Sequence, residues 1–219
     1  MIKKKTVVYY PVFLNLEKKK VVVCGGGHVA ERKISFLLKT GAEVTVISPK
    51  ITRRLEKIKS QKRLKHICRG YRRSDMKDAF LVIAATDNIS VNERVAQDAQ
   101  CLVNVVDAPD FCNFIVPSTV NRGLLKLAIS TSGVSPALAK TIRIELEDQY
   151  GVEFSKFLEF LQNIRAKAMK FINDRKKRRQ FLEYIGSRVM VDILRQKGVM
   201  EAKKVITLLL KKYIRKEYN

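Results

Sequence analysis

The sequence predicts an α/β fold: a doubly wound parallel sheet, then a small α+β segment, then an all-helical C-terminal region. Three observations carry this expectation. Short β-branched runs at residues 21–24, 43–48, 80–85 and 102–106 alternate with helical patterns. The first run ends in Gly25-Gly26-Gly27 and passes directly into a helical pattern. Beyond Gly151 the apolar spacing is helical throughout.

Taken in order, residues 7–16 read as an extended strand rather than a signal peptide. Pro11 would place it at a sheet edge, and no small-residue cleavage site follows. Residues 21–24 form the first core strand. Gly25, Gly27 and Ala30 then fit the G-x-G-x-x-G/A pattern. Gly25 makes the tight turn, Gly27 lets backbone approach a pyrophosphate, and Ala30 lets helix and strand pack closely. The positive end of the following helix favours an anion. Ala30, Ile34, Leu37 and Leu38 keep the helical period, and Gly41 is placed as its C-terminal cap.

Residues 43–48 form the second strand. It ends in Ser48-Pro49-Lys50, with no acid for a ribose. Ser48 can still hydrogen-bond a hydroxyl, whereas Lys50, Arg53 and Arg54 suit a 2′-phosphate, so NAD and NADP both stay open on physical grounds. A basic helix spans 51–59 and a third strand 64–68. The apolar run 80–85 reads as a parallel strand covered on both faces, stopping at Thr86-Asp87-Asn88. Ser90-Val91-Asn92-Glu93 has capping-box form and opens another helix. Residues 102–106 form the next strand, stopping at Asp107-Ala108-Pro109. Ligands of such sheets sit outside the carboxyl ends of the strands. Gly25, Gly26, Gly27, Ser48, Thr86, Asp87, Asn104 and Asp107 all fall there. Asp107 is either a functional carboxylate or a turn cap before Pro109.

Residues 114–117 and 124–130 read as two antiparallel or edge strands around the turn Asn121-Arg122-Gly123. The loop Ser130-Thr131-Ser132-Gly133-Val134-Ser135 follows. Ser135 is a good N-cap and Pro136 a good first helical residue. The loop hydroxyls suit either an anion site or a cap alone. Leu138, Ile142 and Leu146 make the expected buried stripe of this helix. In the tail, Phe154, Phe157, Leu158, Leu161, Ile164 and Ala168 keep the helical period, and Arg175 to Arg179 are five consecutive cations. The tail holds about 18 basic and about 7 acidic residues.

The 219 residues suffice for a sizeable domain with extensions, and 46% hydrophobic content is that of a folded chain. A net charge of +23 points to an anionic partner: nucleic acid, an acidic membrane surface, or a polycarboxylate or phosphate ligand. Charge alone does not choose. No apolar run is long enough to span a membrane. Cys24, Cys68, Cys101 and Cys112 form no C-x-x-C pair, which suits a reducing compartment. His28 and His66 are far apart, so no metal site is expected.

The motifs together resemble the precorrin-2 dehydrogenase family of siroheme synthesis. They are Pro11-Val12-Phe13, Gly25 through Lys33, Ala84-Ala85-Thr86-Asp87 with Asn92, Asn104-Val105-Val106-Asp107-Ala108-Pro109, Phe114-Ile115-Val116-Pro117-Ser118 and Ser132-Gly133-Val134-Ser135-Pro136. The resemblance implies a Rossmann domain (1–112), a central dimerisation segment (113–150) and a basic helical domain (151–219). It implies a cytoplasmic homodimer, with the active site near the junction of the first two parts. NAD would accept a hydride from precorrin-2, a tetrapyrrole with many carboxylates, giving sirohydrochlorin. Asp107 falls on the catalytic carboxylate, and His28, Val29, Pro49 and Lys50 fall where the family contacts NAD. Ser130, Thr131, Ser132 and Ser135 are candidates for the substrate. Thr131 stands where some members carry a phosphorylated serine.

Some members also insert iron into sirohydrochlorin, so a bifunctional dehydrogenase–ferrochelatase is the alternative. The fused methyltransferase domain is not expected, so precorrin-2 would come from another protein. On Asp107 the mechanistic expectation is proton acceptance, directly or through water, or stabilisation of developing positive charge. An NAD-sensing nucleic-acid-binding protein is the rival of another class. No helix-turn-helix or aromatic-interleaved basic motif supports it.

Overall fold

In a computed structural model, residues 7–218 are described. The basic stretch Met1 to Lys5 lies outside them. The chain divides into two units, Met1–Val116 and Pro117–Asn219.

The first unit is a five-stranded parallel sheet of order β3-β2-β1-β4-β5. Its strands are β1 (Lys20–Cys24), β2 (Glu43–Ile47), β3 (Lys65–Ile67), β4 (Leu81–Ala84) and β5 (Leu102–Val105). Helices α1 (His28–Leu37), α2 (Arg53–Ser60) and α3 (Ile89–Asp98) connect them. β1 is central: Val21 pairs with Val44 on one side and Leu81 on the other. Alternate side chains of each strand therefore feed two separate apolar layers. Val21, Val23, Val44, Val46, Leu81 and Ile83 pack with Ala30, Ile34 and Leu37 of α1. Val22, Cys24, Val82, Ala84 and Val103 pack with Val95 of α3. This two-sided burial is why these strands read as unbroken apolar runs.

Several local expectations are corrected. Residues 7–16 form no strand. Both edges of β1 are already paired, and Pro11 lacks an N–H, so the segment stays irregular and only Leu16 enters the core. α1 starts at His28 and tightens into a 3-10 turn before Gly41, which adopts the expected left-handed conformation at φ 77°. α2 begins after Thr52, whose side chain accepts from Leu55 N at 3.2 Å. The capping box at Ser90 is not formed. Asn88 caps α3 instead, accepting from Val91 N at 3.1 Å and leaving Ser90 inside the helix.

In the second unit, β6 (Ser118–Arg122) and β7 (Leu125–Ile129) pair antiparallel, with Arg122 opposite Leu125. The turn is therefore Gly123-Leu124, one step later than expected, with Gly123 at φ 64°. Residues 114–117 are not a strand: the ladder begins only after Pro117. α4 (Pro136–Gln149) starts at the predicted cap, Ser135, which accepts from Leu138 N. The predicted stripe is only partly buried, however: Leu138 is 52% exposed, Ile142 and Leu146 are half-buried, and Ala139 is the helix's one buried residue. Arg122 ties the other end of α4 to β6, donating to Tyr150 O at 2.8 Å and Glu147 O at 3.2 Å. α5 (Glu153–Phe171), α6 (Arg175–Ile185) and α7 (Arg188–Tyr218) share one core. In it Phe154, Phe157, Ile164, Phe181, Leu194 and Ile206 are all buried. α7 is interrupted at Gly198, with φ 79° and ψ 175°.

Candidate functional site

The glycine loop is pinned between the ends of β2 and β4. Gly25 N donates to Ile47 O at 2.9 Å, and Ala85 N donates to Cys24 O at 2.7 Å. Gly25 stands at φ 116°, and a Cβ there would lie 2.1 Å from Ala85 O. At Gly26 a Cβ would lie 2.2 Å from Lys50 O. Both glycines are thus demanded by the protein's own packing. Gly27 differs: a Cβ would meet nothing within 4 Å. It faces open space, where a ligand backbone can approach.

Gly27 is also the N-cap of α1, with no side-chain cap. The first helical N–H groups, from His28 and Val29, have no intrahelical acceptor available to them. Glu31, the acid of this first turn, does not fill the gap. Its Oε2 accepts from Thr52 Oγ1 at 2.6 Å, and Oε1 lies 3.6 Å from Arg54. An open glycine followed by bare helix N–H groups fits a dinucleotide pyrophosphate.

Ser48 and Lys50 reach the same loop. Ser48 is only 8% exposed, and its hydroxyl donates to Lys50 O at 2.6 Å, folding the turn over Gly26. Ser48 O accepts from His66 Nε2 at 2.9 Å. Pro49 and Lys50 are exposed at the tip, and Pro49 O accepts from Cys68 Sγ at 3.2 Å. After β4, Thr86 sits beside Gly25 and is held by buried Asn92, while Asp87 points to solvent.

The end of β5 forms a second cluster. Asn104, 8% exposed, accepts from Lys33 Nζ at 3.1 Å and donates through Nδ2 to Phe114 O at 3.2 Å. Cys112 Sγ accepts from Val105 N at 3.1 Å and holds the following turn. Asp107 is exposed on that turn at φ 58°, a left-handed conformation that aspartate tolerates better than most side chains. Burial lowers the Lys33 pKa, and Arg32 lowers it further. The Cys112 thiol and the Asp107 carboxylate push it back up.

The structure therefore brings Gly25, Gly26, Ser48, Lys50 and Thr86 into one neighbourhood and sets Asn104 beside Lys33. Ser130, Thr131, Ser132 and Ser135 belong to the other unit. There Thr131 Oγ1 donates to Ser135 O at 3.0 Å, and Ser130 Oγ accepts from Ser132 N at 2.9 Å, closing the loop on itself. Lys33 and Asn92 carry no assigned role in the sequence reading. Both stand in the quoted motifs; Asn92 bonds Thr86 within its own motif, whereas Lys33 bonds Asn104 in a motif 71 residues on.

A five-stranded parallel sheet with an open glycine at the N-terminus of its first helix defines a dinucleotide-binding domain. Residues 12–118 match a family model described as "Putative NAD(P)-binding", and residues 122–149 match "Sirohaem biosynthesis protein central". A siroheme synthase from Ruthia magnifica subsp. Calyptogena magnifica is 35% identical over 198 residues, covering 89% of this chain and 42% of the relative. One from Methylobacillus flagellatus is 38% identical over 176 residues, covering 79% and 38%. The solved structure of SirC, precorrin-2 dehydrogenase, superposes with a TM-score of 0.77 at 25% identity, covering 94% of this chain and 100% of that one. By these matches the chain is similar, over most of its length, to siroheme synthases and to a precorrin-2 dehydrogenase. It spans about two-fifths of the length of the curated siroheme synthases it matches.

Proposed function

We propose that this protein is an NAD-dependent oxidoreductase that dehydrogenates precorrin-2 to sirohydrochlorin. The observation that carries the reading is the open Gly27 at the bare N-terminus of α1, on a sheet whose β5 end presents Asp107. Bound NAD supplies the hydride acceptor. The N–H groups of His28 and Val29 hold its pyrophosphate, and Gly27 leaves the necessary room. Ser48, Pro49 and Lys50 form the rim that meets the adenosine ribose. Thr86 and Asp87 line the carboxyl end of β4 for the remainder of the cofactor, and Asn104, buried and bonded at both amide ends, supports the end of β5 from behind. Precorrin-2 loses a hydride and a proton; the Asp107 carboxylate takes the proton.

The net charge of +23 draws a polycarboxylate substrate toward the protein and makes its capture salt-dependent. The loop of Ser130, Thr131, Ser132 and Ser135 receives substrate carboxylates: Ser130 Oγ, although accepting from Ser132 N, still has its own proton to donate. The protein works as a homodimer through its central segment. Supporting this, Leu124, Val134, Leu138 and Ile144 are exposed apolar side chains of 55%, 87%, 52% and 45% on the hairpin, loop and α4. Four free cysteines fit a cytoplasmic setting. Among the described residues no helix is long and apolar enough to cross a membrane.

The test is anaerobic. Precorrin-2 and NAD⁺ are mixed with the protein without metal, and sirohydrochlorin and NADH are followed by absorbance. Equimolar appearance of both is expected. Asp107→Asn should lower kcat by about 10²-fold or more with NAD binding retained. No NADH from folded wild-type protein sinks the reading. Fe²⁺ added to the product then tests whether the same protein chelates, and light scattering tests the dimer.

A further inference from the structure

Lys33 sits in the second turn of α1, immediately before the core residue Ile34, and is half-buried. A lysine there would ordinarily swing its ammonium out to water. This one reaches across the sheet face to β5 and donates to Asn104 Oδ1 at 3.1 Å. Asn104 pairs in register with Ile83, so its side chain projects into the same apolar layer as Ile83, beneath α1. A buried amide in that layer is costly unless both its ends are bonded. The Nδ2 end meets Phe114 O at 3.2 Å, and the Oδ1 end meets Lys33. Because an ammonium can only donate, the bond fixes which way the Asn104 amide faces.

Asn104 lies three residues before Asp107, whose backbone is held left-handed at φ 58°. Among the described residues Lys33 has no carboxylate at ion-pair distance, yet the Asp107 charge is near enough to act on it. The other titratable groups facing Lys33 are Arg32 on its own helix and Cys112 behind the Asp107 turn. An apolar side chain would join α1 to β5 without any desolvation cost. The half-buried charge therefore calls for a role other than packing.

We propose that Lys33 is a positioning residue for the reaction: its ammonium locks the Asn104 amide and, through it, the end of β5 from which the Asp107 carboxylate is presented. The role in turnover rests on the dehydrogenase reading above. The lock itself is a property of the folded chain.

Two variants separate charge from bulk. Lys33→Met removes the donor and keeps the length; Lys33→Arg keeps charge and donor. In wild-type protein, the side-chain amide protons of Asn104 should exchange slowly with solvent by NMR. They should exchange much faster in Lys33→Met and stay protected in Lys33→Arg. With precorrin-2 and NAD⁺, Lys33→Met should lose about tenfold to hundredfold in kcat with KM for NAD nearly unchanged, and Lys33→Arg should recover most of it. Wild type should lose rate at alkaline pH as Lys33 gives up its proton, below the ordinary lysine range. Lys33→Arg should lack that limb. Unchanged Asn104 exchange in a folded Lys33→Met overturns the lock. Unchanged kcat and pH profile with altered exchange overturns the role in turnover. Wild-type protein that makes no NADH overturns the dehydrogenase reading instead, and the exchange data still decide the lock.

Discussion

Asn92 grips the backbone of Thr86 from both sides. Its Oδ1 accepts from Thr86 N at 3.1 Å, and its Nδ2 donates to Thr86 O at 2.9 Å. The Thr86 hydroxyl adds a third bond to Asn92 Oδ1 at 2.7 Å. One buried amide on α3 thus imitates the neighbouring strand that β4 no longer has beyond Ala84. It fixes the floor against which Gly25 turns.

Asn92→Ala leaves two backbone groups of Thr86 without their partner. The expected cost is about 2–3 kcal/mol in denaturant unfolding of the first unit. Weaker NAD binding in calorimetry should accompany it. Asn92→Asp should lose less stability, because a carboxylate keeps the acceptor while losing the donor.

The three glycines should separate cleanly under substitution. Gly25→Ala forces a Cβ against Ala85 O at φ 116° and should unfold the loop, with a marked fall in melting temperature. Gly27→Ala adds a Cβ that meets no protein atom within 4 Å, on an ordinary extended backbone, φ −78° and ψ −174°. Its stability should stay within about 0.5 kcal/mol of wild type while NAD affinity collapses. Equal losses of stability at the two positions would refute the assignment of Gly27 to the ligand.

Asp75 gives the first unit an acid-sensitive anchor. Its side chain is 5% exposed, meets Arg69 through two bonds of 2.9 and 2.6 Å, and accepts from Arg72 N at 2.8 Å. The Arg69 bond, more than the Arg72 N–H, holds its carboxyl below the ordinary value of 3.8, against the opposing effect of burial. A depressed native pKa stabilises the fold above the ordinary carboxylate range, and that stabilisation is lost as pH falls through the native value. Asp75→Asn should therefore cost about 2 kcal/mol at neutral pH. The gap to wild type should close as both are acidified below pH ~3.8.

The thiols should report on cofactor binding. Burial pushes the Cys24 thiol up to about 12, with a smaller push from Asp75, so it should resist alkylation in native protein. Cys68 is exposed and bonded to Pro49 O, on the turn proposed to meet the adenosine ribose. It should react first with a maleimide, and saturating NAD should slow that reaction. Mass spectrometry of the labelled peptides distinguishes the two sites.

How far the sequence could be read depends on the range of the interaction. The runs at Val21–Val23 and Leu81–Ala84 announce buried parallel strands because both faces are covered, and Gly41 announces a helix end because only its own backbone is involved. The choice of Asn88 over Ser90 as a cap is not legible: both side chains can accept, and the loop after β4 decides. Residues 7–16 carry the apolar character of a strand, but both sides of β1, the strand they precede, are taken by β2 and β4. The spacing of Leu138 and Ile142 reveals an amphipathic helix and says nothing about what covers it. In the site, the glycine loop and Asp107 stand out locally. The Lys33–Asn104 bond joins residues 71 positions apart and emerges only when the sheet is assembled.

The register of β1 sets an order of events for a chain leaving the ribosome. β1 is made first, yet its second neighbour, Leu81 opposite Val21, arrives about sixty residues later. Until then one edge of the central strand is bare, and the Ala85 carbonyl that shapes Gly25 does not yet exist. The glycine loop is therefore translated well before the residue that gives it its shape. A nascent chain stalled before β4 would expose an adhesive strand and no nucleotide pocket, which makes residues 21–80 the stretch where chaperone contact during synthesis matters most.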